Sequence, residues 1–157
     1  MPVELKQGDP APAFRAMAIG GKYGAGKEVS LEDFAGKKLV LYFYPKDDTP
    51  GCTAQACALR DDWSKFSKKA ELFGVSVDSA KKHAQFIEKF SLPFPLLTDE
   101  SHALVEAYGV WVEKSMYGKK YMGAERSTFI IEDGVITGIL RKVKPEEHAE
   151  QLLALLK

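Results

Sequence analysis

Two thiols are the residues of this chain best suited to covalent chemistry, and their spacing limits what they can do together. Cys52 and Cys57 are its only cysteines. The thiolate is the nucleophile, so reactivity depends on what favours the anion. Cys52 follows Thr49-Pro50, which reads as a helix start with threonine at the N-cap and proline at the first helical position. A thiol in that first turn meets backbone N–H groups that have no intrahelical partner, at the dipole end that favours negative charge. The second thiol is five residues on. In a helix, positions i and i+5 have Cα atoms roughly 8–9 Å apart and face about 140° away from each other. A disulfide needs Cα atoms within about 7 Å. A wound helix therefore keeps the pair apart, and a melted one lets it join. The spacing predicts a two-state device in which Cys52 reacts in the folded helix and Cys57 traps it after local unfolding.

The elements around the thiols must hold this device. Leu39-Val40-Leu41-Tyr42-Phe43-Tyr44 is the most apolar short run and reads as a strand over 38–44 buried on both faces, closed by Pro45. The helix from 50 to about 68 carries Cys52, Ala56, Leu59, Trp63 and Phe66 on one apolar stripe. Cys57 lies off that stripe, beside Thr53, Arg60, Asp61 and Ser64. Lys46-Asp47-Asp48 reads as a solvated turn with little direct chemistry.

Residues 1–13 form an extended arm with Pro2, Pro10 and Pro12, leading into an N-terminal hairpin through Gly20, Gly21, Gly24 and Gly26. These glycines lack the Gly-Lys-Ser/Thr ending of a phosphate loop. Leu72–Val77 is a second buried strand, so strand, helix and strand form a parallel right-handed unit. Asp78-Ser79 cap a helix that places His83, Phe86, Ile87 and Phe90 on one face. Pro93 and Pro95 end it, Leu96–Thr98 is extended, and a short helix over 101–108 closes at Gly109. Residues 110–125 suggest a hairpin-like loop exposing Trp111, Tyr117 and Tyr121. Asp133-Gly134 between two β-rich runs marks a hairpin. Pro145-Glu146-Glu147 open a final helix with acids in its first turn and a stripe of Ala149, Leu152, Leu153 and Leu156. The order gives one α/β sheet with helices on both faces. Cys52 falls past the carboxyl end of a parallel strand, where sites form in such sheets.

The 157 residues read as one domain over 1–157. Forty-five per cent hydrophobic and 28% charged residues are usual for a soluble protein. A formal net charge of zero argues against nucleic acid or an anionic membrane as partner. No apolar run approaches a membrane span. The N-terminus lacks a charged start followed by a signal core, which points to the cytoplasm, where two cysteines are redox-active or inert more often than a structural staple.

Pro45-x-x-x-Thr49-x-x-Cys52 resembles the peroxiredoxin active-site motif, and Gly51-Cys52-Thr53-x-x-Ala56-Cys57 is similar to the bacterioferritin comigratory (Q-type) subgroup. His83 with Phe86 and Lys89, Leu92-Pro93-Phe94, Leu96-Leu97, Tyr108-Gly109-Val110-Trp111 and Arg126–Ile131 follow in that subgroup's order, so the resemblance covers nearly the whole chain. It implies a thioredoxin-like fold, a central mixed sheet flanked by helices, with an N-terminal β-hairpin extension. It also implies reduction of hydrogen peroxide and organic hydroperoxides without cofactor or metal. Residue by residue, it makes Cys52 the peroxidatic and Cys57 the resolving cysteine, Thr49 the hydroxyl beside the thiolate, Arg126 the nearby guanidinium and Pro45 the shield. Thioredoxin, or in some members glutaredoxin, reduces the disulfide. The subgroup leans to monomers, and some members place the resolving cysteine in a later helix or lack it.

Ionisation alone does not make a fast peroxidase. A thiol whose pKa falls from about 8.5 to about 6 gains roughly 30-fold in thiolate at pH 7 but loses about 13-fold in intrinsic nucleophilicity. The remainder must come from groups that position the peroxide and stabilise the leaving oxygen, and Thr49, Arg126 and first-turn N–H groups are the available donors. Other readings stay open. A thioredoxin-like thiol-disulfide oxidoreductase would use Cys-x-x-Cys and a proline before the 128–132 strand, both missing here. A zinc site needs two ligands beyond the cysteines, and His83, His102 and His148 show no such spacing. A non-enzymatic binding protein would use Trp111, Tyr117 and Tyr121.

Overall fold

The computed structural model describes residues 4–156. Among these, the strands are β1 (Arg15–Ile19), β2 (Lys27–Ser30), β3 (Lys38–Phe43), β4 (Glu71–Ser76), β5 (Leu96–Thr98), β6 (Trp111–Met116), β7 (Lys119–Ala124), β8 (Ser127–Glu132) and β9 (Val135–Leu140). The helices are α1 (Pro50–Asp61), α2 (Trp63–Phe66), α3 (Ala80–Phe90), α4 (Ala103–Ala107) and α5 (His148–Leu155). Seven strands make one mixed sheet in the order β2-β1-β5-β4-β3-β8-β9, and β6 pairs with β7 alone. The fold is α/β and thioredoxin-like, with the β1–β2 hairpin as its N-terminal extension.

The apolar run before Cys52 is an interior strand of the sheet, with neighbours on both sides. β3 pairs parallel with β4 and antiparallel with β8, and every residue from Leu39 to Tyr44 is buried. Its alternation feeds two cores. Leu39, Leu41 and Phe43 face Leu104, Val105 and Tyr108 of the α4 side. Val40, Tyr42 and Tyr44 face Cys52, Ala56, Leu59, Phe66, Phe86 and Leu152, the layer formed by α1, α2, α3 and α5. The site thus rests on a sheet face that strand periodicity dictates.

Several expectations hold. The β3-α1-β4 unit is parallel. Ser79 caps α3 by accepting from the Lys82 N–H at 3.2 Å. Asp133 (φ 49°) and Gly134 (φ 78°) are both left-handed at the β8–β9 turn, as a two-residue type I′ hairpin requires. The described part of the N-terminal arm docks along β9, with Gly8 N–H donating to Ile136 O and Ala11 N–H to Gly134 O. Met1–Val3 of that arm, including Pro2, lie outside the described residues.

Other expectations need correction. The helix predicted from 50 to about 68 breaks at Asp62, whose N–H bonds to both the Ala58 and Arg60 carbonyls in a tightened last turn, and Trp63 begins a separate element. The final helix begins at His148, not Pro145, so Glu146 and Glu147 precede its first turn. In the β6–β7 hairpin, Tyr117 and Tyr121 are exposed, whereas Trp111 is half-buried against the His102 ring at 4.4 Å.

Candidate active site

Cys52 lies in the first turn of α1 with 2% of its surface exposed, because it falls on the stripe with Ala56 and Leu59 that packs against β3. The N–H of Thr53 makes the first helical bond, to Thr49 O at 2.8 Å. The amides of Gly51 and Cys52 precede it and have no partner within the helix. Arg126 enters from the link between β7 and β8. Its Nη1 donates to Cys52 Sγ at 3.4 Å and to Gln55 Oε1 at 2.6 Å. A Cβ on Gly51 would lie 3.1 Å from Arg126 Nη2 and 3.3 Å from Pro145 Cγ, so glycine lets the guanidinium approach the turn.

Thr49 stands at the N-cap, but its side chain makes no cap bond to the helix. Its hydroxyl donates to Lys46 O at 2.9 Å. With its one proton engaged, this oxygen offers lone pairs to anything arriving beside Cys52. It is an acceptor there, not the donor expected from sequence. Pro45 is half-buried directly after β3. Cys57 is half-buried on the same wound helix, and both thiols are free.

The turn before Thr49 overturns an expectation. Asp47 is buried, not solvated, and is 8% exposed. Its Oδ1 accepts from the Tyr44 hydroxyl, its Oδ2 meets His83 Nδ1 at 2.6 Å, and its N–H donates to Asp78 Oδ2 at 2.8 Å. Ser76 Oγ also donates to Asp78 Oδ2, at 2.6 Å, and His83 Nε2 faces Leu97 O at 2.9 Å. Atoms of Asp47, Asp78 and His83 suited to metal binding lie within 4.8 Å of one another, yet each carboxylate oxygen named here is already taken by a protein donor. The buried face of α3 signalled His83, since a histidine on such a face needs a partner. Nothing in the sequence signalled that the partner is Asp47.

Gln55 was also missed. A glutamine next to an apolar stripe three residues after the cysteine was the available signal. Lys114 is a further cation nearby, donating to Ala124 O at 2.6 Å. Burial first, then Arg126, hold its pKa below the usual lysine range, against the opposite pull of Cys52. Behind the site, His148 shares a hydrogen bond with Thr128 Oγ1 at 2.8 Å, and burial, assisted by Arg126, lowers its pKa to about 3. His83, His102 and His148 each have partners apart from the two thiols. Among the described residues no helix is long and apolar enough to cross a membrane.

A buried thiol under a guanidinium at a helix N-terminus, on a thioredoxin-like sheet, defines a thiol enzyme. The model of the AhpC/TSA family matches residues 7–139. Peroxiredoxin Bcp of Bacillus subtilis is 51% identical over 134 residues, covering 84% of this chain and 85% of the relative. Peroxiredoxin Bcp of Escherichia coli K12 is 43% identical over 155 residues, covering 98% and 96%. The structure of Xanthomonas campestris peroxiredoxin Q is 41% identical, with a TM-score of 0.82 over 91% of this chain and 89% of that one. The chain belongs to the AhpC/TSA peroxiredoxin family, whose activity is thiol-dependent peroxide reduction, and within it to the bacterioferritin comigratory (Q-type) group.

Proposed function

We propose that Cys52 is the peroxidatic cysteine, Cys57 the resolving one, and Thr49, Arg126 and Pro45 the residues that build the peroxide site. The observation that carries this reading is the Arg126 guanidinium 3.4 Å from Cys52 Sγ in a buried first turn. The Cys52 thiolate attacks one oxygen of a hydroperoxide. An S–O bond forms, the O–O bond breaks, and the alcohol or water leaves with a proton. Arg126 stabilises charge on sulfur and on the departing oxygen, Thr49 Oγ accepts from the peroxide O–H, and Pro45 limits water access. The sulfenic acid then condenses with Cys57 to a disulfide and water, after α1 unwinds enough to bring together sulfurs that a wound helix separates. A dithiol reductant, thioredoxin or glutaredoxin, returns both thiols. The enzyme acts as a one-domain monomer in the cytoplasm.

One equivalent of hydrogen peroxide added to the reduced protein tests this reading, with the rate followed by fluorescence of Trp63, which packs on Phe94, and the product by intact mass. The expected result is oxidation orders of magnitude faster than free cysteine with loss of two hydrogens. Cys57→Ser should stop at the sulfenic acid, and Cys52→Ser should not react. A wild-type rate no faster than free cysteine overturns the reading.

A further inference from the structure

We propose that Asp47, Asp78 and His83 are positioning residues for the peroxide reaction, acting through one peptide unit on the hydroxyl of Thr49. The inference rests on the peroxidatic reading of Cys52. Its geometry is a chain of contacts. Thr49 Oγ1 donates to the carbonyl of Lys46. That carbonyl belongs to the same planar peptide as the N–H of Asp47, and in a trans peptide the two groups point to opposite sides. The N–H is fixed by Asp78 Oδ2 at 2.8 Å. Asp78 is held in turn by Ser76 Oγ, and the Asp47 carboxylate by Tyr44 and His83. With the N–H fixed, the Lys46 carbonyl has one direction, and the Thr49 proton follows it. The lone pairs of Thr49 Oγ are thereby turned to the one job left, accepting from a peroxide O–H.

The network is built to stay in place. Asp47, Ser76, Asp78 and His83 are all buried, where leaving a polar group unpaired is costly. His83 Nε2 must donate to Leu97 O, and one proton lies between His83 Nδ1 and Asp47 Oδ2. Asp48, the next residue, adopts φ 57°, a left-handed conformation disfavoured for a non-glycine residue. The anchor therefore holds a bend the chain would not choose, and that bend delivers Thr49 to the N-cap. The Asp47–Asp78–His83 group also has the residue types of a cation site, but three of its four carboxylate oxygens are spent on these bonds, so it is an anchor.

The roles of Asp47 and Thr49 can be separated by substitution. Asp47→Ala keeps the backbone N–H that reaches Asp78 but removes the carboxylate that ties this peptide to Tyr44 and His83, and a misplacement of even about 1 Å can cost on the order of 100-fold in rate. Asp47→Asn keeps every bond: its amide N–H₂ donates to His83 Nδ1, its oxygen accepts from Tyr44, and its backbone N–H still reaches Asp78. We expect Asp47→Ala to slow oxidation by one equivalent of peroxide by about 10- to 100-fold. Asp47→Asn should restore most of that loss, and alkylation of Cys52 by iodoacetamide should change by less than about threefold, since it needs no Thr49 acceptor. In a Thr49→Val background, Asp47→Ala should add less than about threefold, because residues acting through one group are not additive. Should Asp47→Ala fail to fold, His83→Asn with Asp47→Asn makes the comparison with the network weakened rather than removed. The proposal is overturned by a folded Asp47→Ala as fast as wild type, by an Asp47→Asn as slow as Asp47→Ala, or by equal losses with and without the Thr49 hydroxyl. A wild-type protein no faster than free cysteine instead removes the peroxidase reading beneath it.

Discussion

The chain before Thr49 and the chain after it are held by different forces. From Tyr44 to Asp48 a buried carboxylate takes donors from Tyr44 and His83, its own amide is fixed by Asp78, and Lys89 pairs with Asp48 at 2.8 Å. From Pro50 to Asp61 the grip is the apolar stripe of Cys52, Ala56 and Leu59, the guanidinium of Arg126 on the first turn and, near the far end, Arg60 donating to Phe90 O at 2.7 Å. The helix has no side-chain cap and no acid in its first turn, and it carries Gly51, a residue that costs a helix about 1 kcal/mol relative to alanine. Gln55 Nε2 is buried and meets no protein acceptor, a debit of about 1–3 kcal/mol. On the proposed mechanism, the loop is fixed where attack geometry would be set, and the helix is less firmly held where Cys57 would have to travel.

The largest expected effect comes from removing the groups that join the two halves at the thiol. Arg126→Ala and Thr49→Val should each lower the peroxide rate by about 100- to 1,000-fold, with the iodoacetamide rate of Cys52 falling far less. Arg126→Ala also removes the cationic tie on the helix's first turn, so its Cys57 should trap any sulfenic acid faster than in wild type. Rapid-quench mass spectrometry resolves the two steps. Equal losses in peroxide and iodoacetamide reactions would mean that Arg126 serves only to ionise the thiol.

A smaller effect should follow from stiffening the helix. Gly51→Ala favours the wound state by up to about 1 kcal/mol, or roughly fivefold in an unwinding equilibrium. Its methyl group would also crowd Arg126 Nη2 at 3.1 Å. The expected outcome is disulfide formation slowed about fivefold and peroxide attack slowed severalfold, read as the two phases of one stopped-flow trace. An unchanged second phase would show that unwinding does not limit resolution, and the contrast between loop and helix would lose its kinetic meaning.

The helix half was legible in the sequence and the loop half was not. Thr49-Pro50, the stripe from Cys52 to Leu59 and the off-stripe position of Cys57 are local signals, set by periodicity and capping within one element. The strand before them and the Asp133-Gly134 hairpin are equally local. Asp47 gave no such signal, because its distant partners, His83 and Asp78, come from α3 and from just past the end of β4, and only the parallel pairing of β3 with β4 brings them together. Charge-rich turns are usually solvated, so Lys46-Asp47-Asp48 read as one. Thr49 shows the same limit at one residue: its N-cap position followed from sequence, but the direction of its proton depended on a peptide fixed from 31 residues away.

The smallest effect probes the two halves with acid. His148 backs the helix side, beside Tyr42 with ring centroids 5.5 Å apart, and burial lowers its pKa to about 3. In the unfolded chain a histidine titrates near its usual 6.5. As pH falls below that value the unfolded state takes up a proton that the folded state refuses, so stability is full above about 6.5 and erodes as pH drops toward 3. Between pH 7 and 5 this single group removes about 2 kcal/mol. His148→Gln keeps a partner for Thr128 but does not titrate, so urea unfolding of the variant should lose about 2 kcal/mol less than wild type over that interval. The same substitution should leave the Asp47 anchor untouched, and the peroxide rate at pH 7 with it. If the variant and the wild type lose stability in parallel, the acid sensitivity belongs to other groups. If they diverge as expected, protonation of His148 loosens the support behind the helix side of Thr49.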